Sequence, residues 1–308
     1  MKILFTGASS FTGMWFVRAL VARDHEVVAT FRRDRSGYDG LRGERVERVC
    51  EVAEARFGLS FGDEAFLSLL ADTEFDVVCH HGAEVGDYRS PDFDVPAAFA
   101  ANTRGAARVA SRAPALVATG SVFESGEGAG ERPLRAFSPY GLSKSLSAQA
   151  LAYYCEREGA RFGKFVISNP FGPFEEPRFT AYLVRAWRSG ETARVATPAY
   201  VRDNIHVSLL AEAYARFVEE VVAGSATHLS PSGYVETQGA FARRFAAEMG
   251  PRLGLACPLE LAEQREFPEP RVRIGLDRVE QFVDRWSEAA AWDELAAYYA
   301  ASPVEATI

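Results

Sequence analysis

The sequence predicts an α/β fold, a doubly wound parallel sheet followed by a smaller C-terminal lobe. Three observations predict it. Short apolar runs alternate with helix-length amphipathic segments through the first two-thirds of the 308 residues, a rhythm that demands helical crossovers onto a parallel sheet. A glycine-spaced turn joins the first run to the first helix. After residue 168 the rhythm breaks in a stretch dense in proline and glycine, Ser168-Asn169-Pro170-Phe171-Gly172-Pro173-Phe174-Glu175-Glu176-Pro177, where the chain is expected to leave the first domain.

In chain order, strands are expected near 2–6, 26–31, 45–50, 76–80, 115–119 and 163–167, with crossover helices near 12–23, 62–72, 95–112 and 139–159. Helices near 178–189, 207–223, 236–249, 277–286 and 288–300 follow. Residues 1–168, with a return segment about 201–230, form the expected first domain, and 169–308 mainly the lobe. The glycine-rich stretch 126–131 reads as a loop, and the chain carries no internal repeat.

Composition bounds the function. The chain is 48% hydrophobic, enough for a sizeable core, and its formal net charge of −8 argues against broad binding to nucleic acid or anionic membranes. Cys50, Cys79, Cys155 and Cys257 lie far apart, without the paired spacing of a zinc clamp or disulfide framework. They read as buried thiols of a reducing compartment. The chain opens directly on a strand and has no bilayer-length apolar run, so a cytoplasmic protein is expected. There are three lysines (Lys2, Lys144, Lys164) against 31 arginines, so a lysine hints at a site that wants a compact, tunable ammonium.

Gly7-Ala8-Ser9-Ser10-Phe11-Thr12-Gly13 follows a buried strand and opens a helix. Its backbone N–H groups, from Ser9 to Thr12, would face a pyrophosphate at the helix N-terminus, the arrangement of a Rossmann dinucleotide site. Ser10 stands where a middle glycine is usual. At the end of the second strand, Ala29-Thr30-Phe31-Arg32-Arg33 offers no carboxylate for a ribose 2′-hydroxyl. Arg32 and Arg33 would instead meet a 2′-phosphate, which favours NADP over NAD.

Tyr140-Gly141-Leu142-Ser143-Lys144 places a phenol and an ammonium four residues apart on one helical face. The ammonium would favour the phenolate and bring a poor acid–base group toward neutrality. Upstream, Leu116-Val117-Ala118-Thr119-Gly120-Ser121 ends a strand at the edge where such sheets bind ligands. There Thr119 would present a hydroxyl donor to a substrate oxygen, with Ser121 close by; either hydroxyl alone would read as a local cap.

Together these residues resemble the extended branch of the short-chain dehydrogenase/reductase family, whose members include nucleotide-sugar epimerases, dehydratases and reductases. The family's glycine turn matches 7–13, its Tyr-x-x-x-Lys matches Tyr140 and Lys144, and its catalytic Ser/Thr falls on Thr119. Its strand-four motif, usually Leu-Ala-Ala after a histidine, is matched by His80-His81-Gly82-Ala83-Glu84, and its helix asparagine by Asn102. The resemblance implies that His81, Gly82, Ala83 and Asn102 line the cofactor site. It also implies that Asn169, in Asn169-Pro170-Phe171-Gly172, and Arg202, in Val201-Arg202-Asp203-Asn204-Ile205-His206-Val207, contact a sugar diphosphate, with Arg271 and Arg273 near a second diphosphate arginine.

The family's 4,6-dehydratases follow the threonine with Asp-Glu; Gly120 and Ser121 stand here. The expected activity is therefore hydride transfer at a sugar ring carbon, C4, as a 4-keto-reductase or dehydrogenase, with a 4-epimerase holding its NAD as the alternative. Tyr140 would be the acid/base, Lys144 would lower its pKa and hold the nicotinamide ribose, and Thr119 would orient the oxygen. A non-catalytic NADP sensor would have no need of Tyr140 or Lys144, and a reductase of apolar carbonyls would have no need of the lobe's arginines. No metal is expected, since His80 and His81 lack further ligands at suitable spacing. A homodimer through the helices near 95–112 and 139–159 is implied by the resemblance.

Overall fold

Seven parallel strands form the central sheet, and the first of them lies inside it, next to the point where the strand order reverses. The structure, a computed structural model, describes residues 1–128, 135–279, 283 and 286–301. In chain order the elements are β1 (Lys2–Thr6), α1 (Phe11–Ala22), β2 (Glu26–Phe31), α2 (Gly40–Cys50), β3 (Glu54–Phe57), α3 (Glu64–Asp72), β4 (Val77–His80), α4 (Val95–Asn102), α5 (Ala106–Ala110), β5 (Ala115–Ser121), α6 (Pro139–Glu158) and β6 (Arg161–Ile167). Then come β7 (Asn169–Phe171), α7 (Phe179–Arg188), β8 (Ala193–Val195), β9 (Val201–His206), α8 (Val207–Ala223), β10 (His228–Leu229), α9 (Gln238–Leu253) and α10 (Glu288–Ala301).

The sheet order is β10-β6-β5-β4-β1-β2-β3, with every neighbouring pair parallel. It reverses between β1 and β4, so the carboxyl ends of those strands frame a crevice. Strand β1 can be apolar throughout because both its faces are covered. On one face Phe5 meets Phe16 and Leu20 of α1 with Tyr214 and Phe217 of α8; on the other, Leu4 belongs with Phe66, Val109 and Leu151 of α3, α5 and α6. Phe16 stacks on Tyr214 with centroids 4.0 Å apart. A third cluster, around Phe171, Trp187, Phe241, Phe245 and Trp292, draws on α7, α9 and α10.

Most elements lie where the periodicity puts them, but three do not. Residues 45–50, expected as a strand, are the last turns of α2, and the third strand is Glu54–Phe57. Val46 and Val49, three apart, both point inward, a helical spacing that β-branching disguised. The helix expected over 95–112 is broken at Gly105, whose φ is +60°. The cause is a backbone contact: a Cβ on Gly62 would lie 1.7 Å from the Arg104 carbonyl oxygen, and one on Gly105 would lie 2.6 Å from that of Gly62. In the expected 277–286 helix, Asp277–Arg278 instead pair as a strand with Pro231–Ser232; most of its remainder, like residues 129–131 of the glycine-rich stretch and 302–308 of the lobe, lies outside the described residues. Cys79 and Cys155 are buried, whereas Cys50 and Cys257 are only partly so. Among the described residues, no helix is long and apolar enough to cross a membrane.

Candidate active site

A cleft of about 1020 Å³ opens at the carboxyl ends of the sheet strands, lined by Thr6, Thr30, His80, Thr119 and Ile167 where β1, β2, β4, β5 and β6 stop. Parallel strands all deliver their last side chains to the same edge, which is why residues far apart in sequence meet there. The expected residues Gly7, Ser9, Ser10, Phe11, Thr12, Arg32, Arg33, His81, Gly82, Ala83, Asn102, Thr119, Ser121, Tyr140, Lys144, Asn169, Arg202 and Arg273 line it. Two do not. Gly13 lies beneath the turn, where a Cβ would strike the Gly7 carbonyl oxygen at 2.2 Å, and Arg271 stacks on Phe267 at 4.2 Å.

The turn at 7–13 leaves no space for a side chain at Gly7 or Gly13. Gly7 has a φ of +83°, and a Cβ on it would meet the Gly82 nitrogen at 2.5 Å, so only glycine serves. Ser10 caps α1, accepting from the Gly13 N–H at 3.1 Å and donating to the Gly7 carbonyl at 2.9 Å. The open first turn of α1 thus faces the cleft with backbone donors for a dinucleotide pyrophosphate.

Arg32 and Arg33 differ from the expected pair of free cations. Arg32 is ion-paired with Glu84 at 3.1 Å, and Arg33 turns to the Gly37 carbonyl at 3.3 Å. Asn102 is a clamp: its side-chain oxygen accepts from the Glu84 N–H at 2.8 Å, and its backbone carbonyl lies 3.0 Å from Nε2 of His80. His80 also lies 2.9 Å from the Thr6 hydroxyl and stacks on Phe61 at 3.7 Å. His80 is thus committed to the scaffold.

Lys144 projects from α6 to donate to the Thr119 carbonyl at 2.5 Å. One of its three N–H donors is thereby used, and burial pulls its pKa down. Tyr140 stands one turn earlier, its ring edge-on to Tyr88, Phe93 and Phe123. Burial first, then the negative charge of Glu124, raise its pKa well above the ordinary phenol value. The expected pull of Lys144 on the phenol does not appear in this structure, where the ammonium serves Thr119. Glu124 was not foreseen. It is fully buried, pairs with Lys164 at 2.7 Å, and accepts from the Ser121 N–H at 2.7 Å.

On the lobe side, alternation along β9 sends Arg202 and Asn204 to the cleft and Asp203 the other way, where its carboxylate accepts from the N–H groups of Gly233 at 2.6 Å and Gly275 at 2.8 Å. Arg202 and Arg273 share Glu269, at 2.9 and 3.3 Å. Arg273 lies between Phe123 and Phe137 at 4.3 and 4.2 Å, and burial, helped by Arg202, lowers its pKa to about 10. Asn169 donates to the Asn204 side-chain oxygen at 2.5 Å, which leaves the buried Asn204 amide nitrogen without a protein acceptor. Glu269 carries no motif, and Asn204 stands in the 201–207 segment without a role read from it; only the strand register and the lobe's folding place them here.

Glu175 also lines the cleft. Burial pushes its carboxyl up to about 7 although the Thr180 hydroxyl and Arg178 pull the other way. The folded chain therefore keeps a proton that the unfolded chain loses in the ordinary carboxylate range. Between those two pH values the folded state binds more protons, so stability falls as pH rises through that window. Glu175→Gln is expected to remove this slope and to stabilise the protein by roughly 2 kcal/mol at about pH 8. Urea midpoints on the acid and alkaline sides of the window measure it.

Fold and cleft together define an enzyme of the extended short-chain dehydrogenase/reductase type. The model of the NAD dependent epimerase/dehydratase family matches residues 3–229, and the chain belongs to that family. Among curated relatives, it is 26% identical over 238 residues to UDP-glucose 4-epimerase of Mycolicibacterium smegmatis, covering 70% of this chain and 72% of that protein. It is 28% identical over 228 residues to dTDP-glucose 4,6-dehydratase of an Actinoplanes species, covering 68% and 69%. The Thermus thermophilus UDP-glucose 4-epimerase in complex with NAD superposes with a TM-score of 0.71 at 19% identity, over 98% of this chain and all of that one. For the Thermotoga maritima UDP-glucose 4-epimerase with UDP-glucose, the TM-score is 0.73 at 17% identity, over 97% and 99%.

Proposed function

We propose that this enzyme oxidises and re-reduces C4 of a nucleotide-activated sugar as a 4-epimerase that retains NAD. One observation carries the reading: Tyr140, Lys144 and Thr119 line a single cleft, with the glycine turn on one side and Arg202 and Arg273 on the other. The glycine turn fits a dinucleotide pyrophosphate because Gly7, at a φ of +83°, lets the chain enter α1 with its first backbone N–H groups facing the cleft.

The expectation of NADP, and with it the preference for a reductase, rested on two free arginines. Arg32 already has a carboxylate partner in Glu84, which a 2′-phosphate would have to displace and repel. The relatives' chemistry also supports NAD. Bound NAD would supply the hydride acceptor and donor. In the first half-reaction, with the phenol ionised, Tyr140 takes the C4 hydroxyl proton; in the second it returns a proton to the carbonyl oxygen. Lys144 keeps spare donors for a ribose while its bond to Thr119 fixes the position of that residue. Arg202 and Arg273 hold the diphosphate, with Asn169 beside them, and residues from 169 onward, apart from the return segment of about 201–230, mainly form the substrate lobe.

Dehydration has little support, since a Cβ on Gly120 would lie 2.8 Å from Lys164 Cε and 2.9 Å from a Glu124 carboxylate oxygen, leaving no place for a catalytic carboxylate there. A 4-keto-reductase is the second reading, favoured by the raised pKa of the phenol, since ketone reduction begins with a protonated Tyr140. Exposed Leu142, Leu146 and Tyr153 on α6 support the proposed homodimer.

The test incubates the NAD-loaded enzyme with UDP-glucose, UDP-galactose and dTDP-glucose. Isomer interconversion without net change in nicotinamide absorbance is the expected result; steady NADH oxidation by 4-keto sugars alone selects the reductase. Calorimetry completes it, with NAD+ binding tighter than NADP+. Failure to bind any nucleoside diphosphate sinks the sugar reading.

A further inference from the structure

Among this chain's departures from its family's pattern around the glycine turn are Ser10, for the middle glycine, and His81, for the usual leucine after the strand-four histidine. The two departures touch. His81 Nε2 lies 3.0 Å from the Ser10 hydroxyl oxygen and 3.1 Å from that of Thr12, while His81 Nδ1 lies 3.0 Å from the hydroxyl oxygen of Thr119. The imidazole therefore spans from the cofactor turn to the hydroxyl at the end of β5. Its plane is held by Phe5 and Phe16, with centroids 5.8 and 5.1 Å away.

The hydrogen bonds determine where the ring proton sits. Ser10 spends its single hydroxyl proton on the Gly7 carbonyl, at 2.9 Å, so toward His81 it can only accept. Toward Ser10, Nε2 then acts as the donor, with the Thr12 oxygen as a second acceptor nearby. A neutral imidazole has only one N–H, which leaves Nδ1 a bare acceptor facing Thr119. Burial and the Lys144 ammonium hold the ring neutral, pressing its pKa down to about 3. The Thr119 hydroxyl accordingly points its proton at Nδ1, 3.0 Å away, and not at the neighbouring Tyr214 phenol, which interacts with it but reaches no hydrogen-bond geometry.

We propose that His81 is a positioning residue: as the Nε2–H tautomer it takes up the Thr119 proton in a hydrogen bond, so that the Thr119 oxygen faces the cleft only as an acceptor. The inference rests on the proposed catalytic role of Thr119 and changes its content. Thr119 receives a hydrogen bond from the Tyr140 phenol or from the substrate hydroxyl, and Tyr140 alone donates to a carbonyl oxygen. The same link makes the catalytic hydroxyl sensitive to the seating of the glycine turn, since Ser10 and Thr12 both belong to it.

Two measurements test this. In long-range proton–nitrogen correlation spectra of ¹⁵N-histidine-labelled protein, the resonance pair missing from His81→Leu is expected to show a protonated Nε2 and a bare Nδ1. This pattern should persist unchanged from about pH 5 to about pH 8, and Thr119→Val should move the Nδ1 signal. An Nδ1–H tautomer, or titration near neutrality, overturns the proposal. In kinetics with UDP-glucose, His81→Leu is expected to lower kcat about tenfold with KM nearly unchanged, and in a Thr119→Val background to lower it less than about twofold further. Independent, multiplying effects overturn it. If Thr119→Val alone leaves turnover intact, the catalytic reading of Thr119 fails and the proposal with it, while the tautomer spectra still report the hydrogen bond itself. Leucine is the family's residue at this position, and a melting curve checks that the variant is folded.

Discussion

Tyr140→Phe is expected to reduce turnover of the true nucleotide-sugar substrate by about 10²–10⁴-fold while leaving folding and cofactor binding intact. The substitution removes one oxygen and keeps the ring, whose edge-on contacts with Tyr88, Phe93 and Phe123 fill the cleft wall. Packing is thus preserved, and the loss falls on kcat because the phenol moves a proton at the reacting oxygen and contributes little to ground-state binding. Single-turnover nicotinamide absorbance with a saturating nucleotide sugar separates the two contributions. Retention of more than about a tenth of the parent rate would remove Tyr140 from the chemistry.

The second large effect is structural. Arg45→Leu is expected to destabilise the protein by about 3 kcal/mol and to lower its melting temperature by about 5 °C. Arg45 is 1% exposed; it donates to the Phe174 carbonyl at 2.9 and 2.5 Å and to Glu176 at 2.6 Å. Phe174 holds a φ of +68°, a left-handed backbone that a bulky residue adopts only under constraint. Without the guanidinium, the carbonyl loses its partner and the strained turn loses its clamp. Glu176 is half exposed and can turn to water, so the cost falls mainly on the carbonyl and the vacated space. Glu175 and Glu176 both line the cleft, so KM for the sugar nucleotide should rise more than kcat falls.

What the sequence disclosed was whatever local spacing encodes. The turn at 7–13, the Tyr140–Lys144 pair and the Thr119 strand end are each specified within a few neighbouring residues, and Tyr140, Lys144, Thr119 and the turn except Ala8 and Gly13 line the cleft. Long-range partners were hidden. Nothing near Arg32 announces Glu84, 52 positions away, and the NADP expectation failed to gain support for that reason. Nothing near Arg45 reveals that it is buried, because its acceptor lies 129 positions downstream. Arg271 and Arg273 looked equivalent in sequence. Two apart, they would share a face of a regular strand, but the strand covers only Val272–Arg273, and Arg273 turns to the cleft while Arg271 turns to Phe267. The misread strand at 45–50 arose because β-branched valines gave a strand's composition to a spacing of three that is helical.

The abutment of Gly62 against Gly105 has a consequence for how this chain can diverge. Neither position touches the cleft, yet neither can acquire a side chain unless the other's main chain retreats, so single-step drift is closed to both. A saturation scan should show two intolerant sites remote from the chemistry, and the interruption between α4 and α5 should persist through lineages in which the substrate has changed.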